Sequence, residues 1–241
     1  MRTDGRAPDQ LREVSFDRDT FGQAAGKALV RFGRTTVLCS ASVSDDLPPW
    51  KKNAEIPTGW VTGEYAMLPG STDRRKPRDR KKVDGRTTEI QRLIGRSLRA
   101  ATGLAALGAW SVTVDCDVLE ADGGTRTASI TGAFVALVEG VATIPGVDLK
   151  AVFPDTVAAV SVGVVGGEAV LDLPYEEDSR ADVDCNVVMT GGGRFVEVQG
   201  TAEGEPFDRA LLDRQLDLAE TGIRELTAMQ KACLGELWPG A

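Results

Sequence analysis

Apolar and polar positions alternate along some stretches of the chain and fall into a helical period along others. Ala28–Val43 holds two apolar, β-branched runs flanking Phe32-Gly33-Arg34, which predicts a β-hairpin with glycine in its turn. Ser111–Leu119 alternates cleanly, with Val112, Val114, Cys116 and Val118 on one face and Thr113, Asp115 and Asp117 on the other. Gly59–Met67 suits a short strand. Four more strands are expected at Val157–Val165, Glu168–Leu173, Asp182–Met189 and Arg194–Val198. They read as a meander, with turns at Gly166-Gly167 and Gly191-Gly192-Gly193.

Helical spacing marks three segments. From Thr88 to Leu107 the residues Ile90, Leu93, Ile94, Leu98, Ala101 and Leu104 form an apolar stripe, while Arg92, Arg96 and Arg99 share another face. Thr87 or Thr88 is the expected cap, and Glu89 suits the positive end of the dipole. A second helix follows Asp122–Thr127 and runs to about Thr143, its small residues Ala128, Ser129, Gly132 and Ala133 permitting close packing. A third runs from about Pro206 to Leu237, weakened by Gly222 and Gly235. Asp45–Thr58, with its prolines, and the basic stretch Pro69–Gly85 read as loops, the latter mobile. Strands followed by helices, twice over, give an α+β class with helices packed on mixed sheets. Two halves are expected, residues 10–145 and 155–240, with no residue-level repeat between them.

Composition narrows the chemistry. The 241 residues contain no histidine, which excludes Ser-His-Asp and Cys-His catalysis, HExxH zinc sites and imidazole bases. The four cysteines form no C-x-x-C pair, and reduced, mostly buried thiols are expected. Neither a signal peptide nor a membrane span is readable, so a cytoplasmic location is expected. The net charge is −8, but Ser71–Ala100 carries eleven Lys and Arg against four Asp and Glu, a local +7 on a body of −15. A basic segment on an acidic body suits a polyanion, and equally a solvated charge-rich loop.

Three segments carry candidate chemistry. Gly123-Gly124-Thr125-Arg126 lies between a strand and a helix, where tight glycine turns aim backbone amides and the helix dipole at a phosphate. Thr125 adds a hydroxyl and Arg126 a charged fork. Taken alone, the segment also suits an ordinary strand-to-helix turn. Gly85-Arg86-Thr87 stands just before the first helix and offers a second arginine at a second dipole, although spacing does not show that the two converge. In Asp182–Met189, Asp182, Asp184 and Asn186 lie on one face and Val183, Val187 and Met189 on the other, with Asp178 in the preceding connection. Paired carboxylates beside a phosphate pocket can hold Mg²⁺ or give a proton to a leaving oxygen, and such a run also suits a solvated turn.

In order and spacing these segments resemble the ribonuclease PH family. The resemblance runs through Asp4-Gly5-Arg6, Gly63-Glu64-Tyr65-Ala66-Met67-Leu68-Pro69 and Glu89–Arg99. It continues through Val114–Gly132, Leu173–Ser179, Asp182–Val188 and Val198–Gly204. It implies a fold like the second domain of ribosomal protein S5. The implied activity is a phosphorolytic 3′→5′ exoribonuclease, a nucleotidyltransferase acting on tRNA precursors and other RNA 3′ ends with inorganic phosphate as co-substrate. Arg86, Gly124, Thr125 and Arg126 fall on the family's phosphate-binding positions. Asp178 and Asp184 fall on its acidic pair, as ligands of Mg²⁺ (or Mn²⁺) or as proton donors. The resemblance also implies a homohexamer, a trimer of dimers, whose basic loop faces the RNA. Arg74, Arg75, Lys76, Arg92 and Arg96 are the candidate RNA contacts. The chain departs from the family pattern at Gly70, where an arginine is common, at Glu13, and in the extra-basic Asp73–Val83. The alternative is a catalytically silent RNA-binding ring subunit of an exosome-like assembly.

Overall fold

The computed structural model describes residues 2–52, 58–78 and 83–239. The first sheet contains β1 (Val14–Asp17), β2 (Gly26–Phe32), β3 (Thr35–Ser44), β4 (Trp60–Met67) and β5 (Ser111–Glu120), in the order β1-β2-β3-β5-β4. The short helix α1 (Pro49–Lys52) precedes β4. The helix α2 (Gly85–Ala100) makes the crossover that lets β4 run parallel to β5; the other pairs are antiparallel. The expected hairpin is β2–β3. The alternation in β5 is borne out, with Val112, Val114, Cys116 and Val118 buried.

Helix α3 (Thr125–Ala142) is buried on nearly every side because it is enclosed between the two sheets, with only Arg126, Glu139 and Ala142 partly open. It packs on β2, β3 and β5 on one side and β6 on the other. Gly132 shows why small residues recur in it: a Cβ there would lie 2.6 Å from Val30 Cγ1 and 2.9 Å from Cys39 Sγ. All four cysteines are free thiols, and Cys233 alone is only partly buried.

The short helix α4 (Leu149–Val152) leads into the second sheet, formed by β6 (Val157–Val165), β7 (Glu168–Leu171), β8 (Val183–Thr190) and β9 (Phe195–Ala202). Its order is β7-β6-β8-β9, so the expected meander is corrected: β8 pairs with β6, not with β7. The chain leaves β7 through Asp172, at φ 54°, and Pro174, then through the helical turn α5 (Tyr175–Asp178). Proline cannot extend the strand, and the turn carries the chain across to the far edge of β6. Helix α6 (Arg209–Leu234) closes the fold against β1, β6, β7 and β8.

Helix boundaries also shift. Helix α2 starts at Gly85 because the Asp84 carboxylate accepts the Thr87 amide at 2.6 Å, and it stops at Ala100. Asp84 is therefore the cap rather than a threonine, and Glu89 lies beyond the first turn. Helix α6 starts after Asp208, whose side chain caps the Leu211 amide, not at Pro206. Gly222 does not break it, since its bare backbone admits Leu171. Residues 53–57 and 79–82, within the two expected loops, lie outside the described residues.

Candidate active site

Six residues singled out in the sequence, Arg86, Gly124, Thr125, Arg126, Asp178 and Asp184, line one cleft of about 990 Å³ between the two sheets. Arg34, Arg74 and Lys76 line the same cleft, and Arg75 is exposed beside them. Arg92 and Arg96 are placed elsewhere. They line a separate groove of about 340 Å³ with Trp60 and Arg99; Arg96 is paired with Glu197, and Arg99 lies 4.5 Å over the Trp60 ring. The shared arginine face of α2 is present, outside the cleft that holds Arg126.

Two helix N-termini approach the site and differ in kind. From the sequence, Arg86 was expected just before a helix capped by Thr87 or Thr88; instead Arg86 lies in the first turn of α2, whose end Asp84 caps. The end of α3 has no side-chain cap. Its Ncap is Gly124 at φ 63°, so the first amides of the helix stay available to an anion. Gly123, at φ 72°, tolerates no side chain, because a Cβ would lie 2.5 Å from the Leu173 carbonyl oxygen.

Side chains from both halves hold this turn. Thr35 Oγ1 donates to the Gly123 carbonyl at 2.7 Å and accepts the Asp122 amide at 2.8 Å. Arg12 donates to the Asp122 carbonyl, and its guanidinium grips buried Asp172 at 2.7 and 3.0 Å. The hydroxyls of Tyr65 and Thr125 share a hydrogen bond of 3.0 Å. Arg2 pairs with buried Glu177 at 2.7 Å and so anchors α5, which carries Asp178. None of Arg12, Asp172, Tyr65, Arg2 or Glu177 was a candidate from sequence. The hint was that Tyr65 and Glu177 fall within the motifs and that Arg12 and Asp172 stand beside them.

Arg126 is partly buried. It donates to Gln199 Oε1 at 2.6 Å and lies 3.5 Å from Glu89, which also accepts from Gln199 at 3.3 Å. Arg86 is exposed and has no ion-pair partner among the described residues. Both carboxylates sit in less water, and the charge of Asp178 acts on Asp184. Burial raises Asp178 above the usual carboxylate range, although Arg86, Arg126 and Arg12 pull it down. Asp184 is pushed up to about 6, first by burial and then by the charge of Asp178, against the pull of Arg126 and Arg86. No donor among the described residues occupies the oxygens of either carboxylate. Two free hard-oxygen ligands suit Mg²⁺ or Mn²⁺, which keep several waters. Among the described residues no cluster of three or more His, Cys, Asp or Glu forms a fuller cage.

A two-sheet α+β fold whose central cleft sets arginines and free helix amides against a carboxylate pair defines a phosphoryl-handling class. Two family models match the chain, the 3′ exoribonuclease family, domain 1, over residues 10–141 and domain 2 over residues 155–222. The chain belongs to the 3′ exoribonuclease family. Within it the chain is 56% identical to the ribonuclease PH of Frankia casuarinae, covering 97% of this chain and 94% of that protein. It is also 56% identical to the ribonuclease PH of Corynebacterium glutamicum, covering 97% and 96%. The resemblance to ribonuclease PH read from the motifs therefore extends over nearly the whole chain. Among solved structures, the Archaeoglobus fulgidus exosome with RNA bound to the active site matches with a TM-score of 0.78 at 25% identity, covering 94% of this chain and 91% of that one. Rice Rrp46 shares the fold with a TM-score of 0.78 at 17% identity, covering 98% and 100%.

Proposed function

We propose that this chain is a phosphorolytic 3′→5′ exoribonuclease that trims tRNA precursors from their 3′ ends. The observation that carries the reading is the meeting of Arg86, Arg126 and the uncapped amides of α3 with Asp178 and Asp184 in one cleft. Orthophosphate is held as a dianion by the two guanidinium groups and the amides at Gly124–Arg126. One of its oxygens attacks the phosphorus of the 3′-terminal phosphodiester. A new P–O bond forms, the bond to the 3′ oxygen of the preceding nucleotide breaks, and that oxygen takes a proton. The products are a nucleoside diphosphate and an RNA one nucleotide shorter.

The reaction asks for positioning and charge neutralisation more than covalent help, so the absence of histidine is no obstacle. Asp184, raised to about 6, keeps a protonated fraction near neutrality and can supply the departing oxygen. When ionised, Asp178 and Asp184 would hold Mg²⁺ or Mn²⁺, whose positive charge neutralises phosphoryl oxygens when bound. Arg74, Arg75 and Lys76 guide the strand by its phosphates. Arg92 and Arg96 reach RNA only along their own groove or across a subunit boundary. A homohexamer built as a trimer of dimers is the assembly this reading implies, and the cytoplasm its place of action. No helix among the described residues is long and apolar enough to cross a membrane.

The test is incubation with a tRNA precursor bearing extra 3′ nucleotides, with and without phosphate. Release of nucleoside diphosphates only when phosphate is present supports the reading. Nucleoside monophosphates released regardless of phosphate would mean hydrolysis, and RNA binding without release would mean a silent ring subunit.

A further inference from the structure

We infer that Asn186 is a further phosphate-contacting residue, donating its side-chain N–H to the attacking orthophosphate; this rests on the phosphorolytic reading and adds a contact to it. Asn186 is only 8% exposed, yet it lines the cleft with Asp178 and Asp184. Its amide has no hydrogen-bond partner among the described residues. The amide opens into the cleft, so its hydrogen bonds are met there by water or by a ligand that displaces that water.

Strand register shows which partner. Asn186 sits opposite Ser161 of β6 and opposite Gln199 of β9, so the three form one row across the sheet. Both flanks of that row face the phosphate end of the cleft. Ser161 Oγ lies 3.7 Å from where a Cβ on Gly124 would stand. Gln199 holds the guanidinium of Arg126 at 2.6 Å. Ser161 has its own hydrogen bond from the Leu173 amide at 3.1 Å, and Gln199 is occupied by Arg126 and Glu89. Asn186 is thus the member of the row whose side chain makes no hydrogen bond among the described residues, set between the uncapped turn and the arginine, while the Ser161 hydroxyl keeps its proton to donate beside it. Its donor face is the one that matters, because orthophosphate between two arginines presents acceptors.

The test measures initial rates of nucleoside diphosphate release against phosphate and, separately, against RNA, for wild type, N186A and N186D. N186A is expected to raise half-saturation by phosphate about ten- to a hundredfold, the range for a hydrogen bond to a charged group. Half-saturation by RNA is expected to hold within about twofold. N186D keeps the volume and the acceptors but replaces the donor with a charge, so phosphate half-saturation should rise further still. Unchanged phosphate half-saturation in N186A, or phosphate binding in N186D as good as wild type, overturns the inference while the phosphorolytic reading stands. Wild-type release that is indifferent to phosphate overturns both.

Discussion

Replacing Asp184 with asparagine should stabilise the protein while removing its turnover. The carboxyl is raised from 3.8 to about 6, so keeping it ionised at neutral pH works against the fold. One pKa unit corresponds to about 1.4 kcal/mol, which gives an upper figure of about 3 kcal/mol. The group retains some water, so screening reduces this to about 1–2 kcal/mol. The sign follows from linkage: between the unfolded and folded values the native state binds more protons than the unfolded state, so stability falls as pH rises. The cost is absent below pH ~4 and complete above pH ~7, and D184N removes it. For a chain of this size the gain is about 2–8 °C in Tm. The assay is thermal unfolding of both proteins in metal-free, phosphate-free buffer at pH 4.5 and 7.5. The variant should melt higher at pH 7.5, with the difference shrinking at pH 4.5. A difference that is negative at pH 7.5, or the same at both pH values, would refute the reasoning.

Three further outcomes are expected. R126A should raise half-saturation by phosphate about ten- to a hundredfold, since a charge-assisted fork is lost, as measured by initial rates. Neutralising Arg74, Arg75 and Lys76 together should weaken RNA binding and reduce the slope of log affinity against log salt by about 2, at ~0.7 per phosphate contact on a single strand; a titration series in salt reads this directly. G123A should cost about 1–3 kcal/mol and lower Tm by several degrees in a melting curve, because the added Cβ meets the Leu173 carbonyl at 2.5 Å in a backbone that favours glycine.

Local pattern and tertiary convergence were legible to different degrees. The strict alternation of Ser111–Leu119 and the two runs around Gly33 read directly, because one face of each strand is buried and the period shows it. Asp184 and Asn186 were placed on one face of β8 by the same pleat. The start of α2 was misplaced because Asp84 follows a loop rich in charge, where one more carboxylate gives no capping signal. The order of the second sheet was misjudged because the turn from β7 to β8 depends on Asp172 in a left-handed conformation and on its grip by Arg12, 160 residues apart in sequence. The same distance hides the braces from Arg2 to Glu177 and from Tyr65 to Thr125, where each partner alone looks like an ordinary residue. Arg86 and Arg126 begin different helices, and spacing alone could not say that these open into a shared cleft.

The central claim is that free phosphate, not water, breaks the last linkage. It is tested most directly by following radiolabelled orthophosphate through a reaction on RNA with an extended 3′ end. The account predicts the label in the terminal phosphate of the released nucleoside diphosphates. Released nucleotides that carry no label would contradict it.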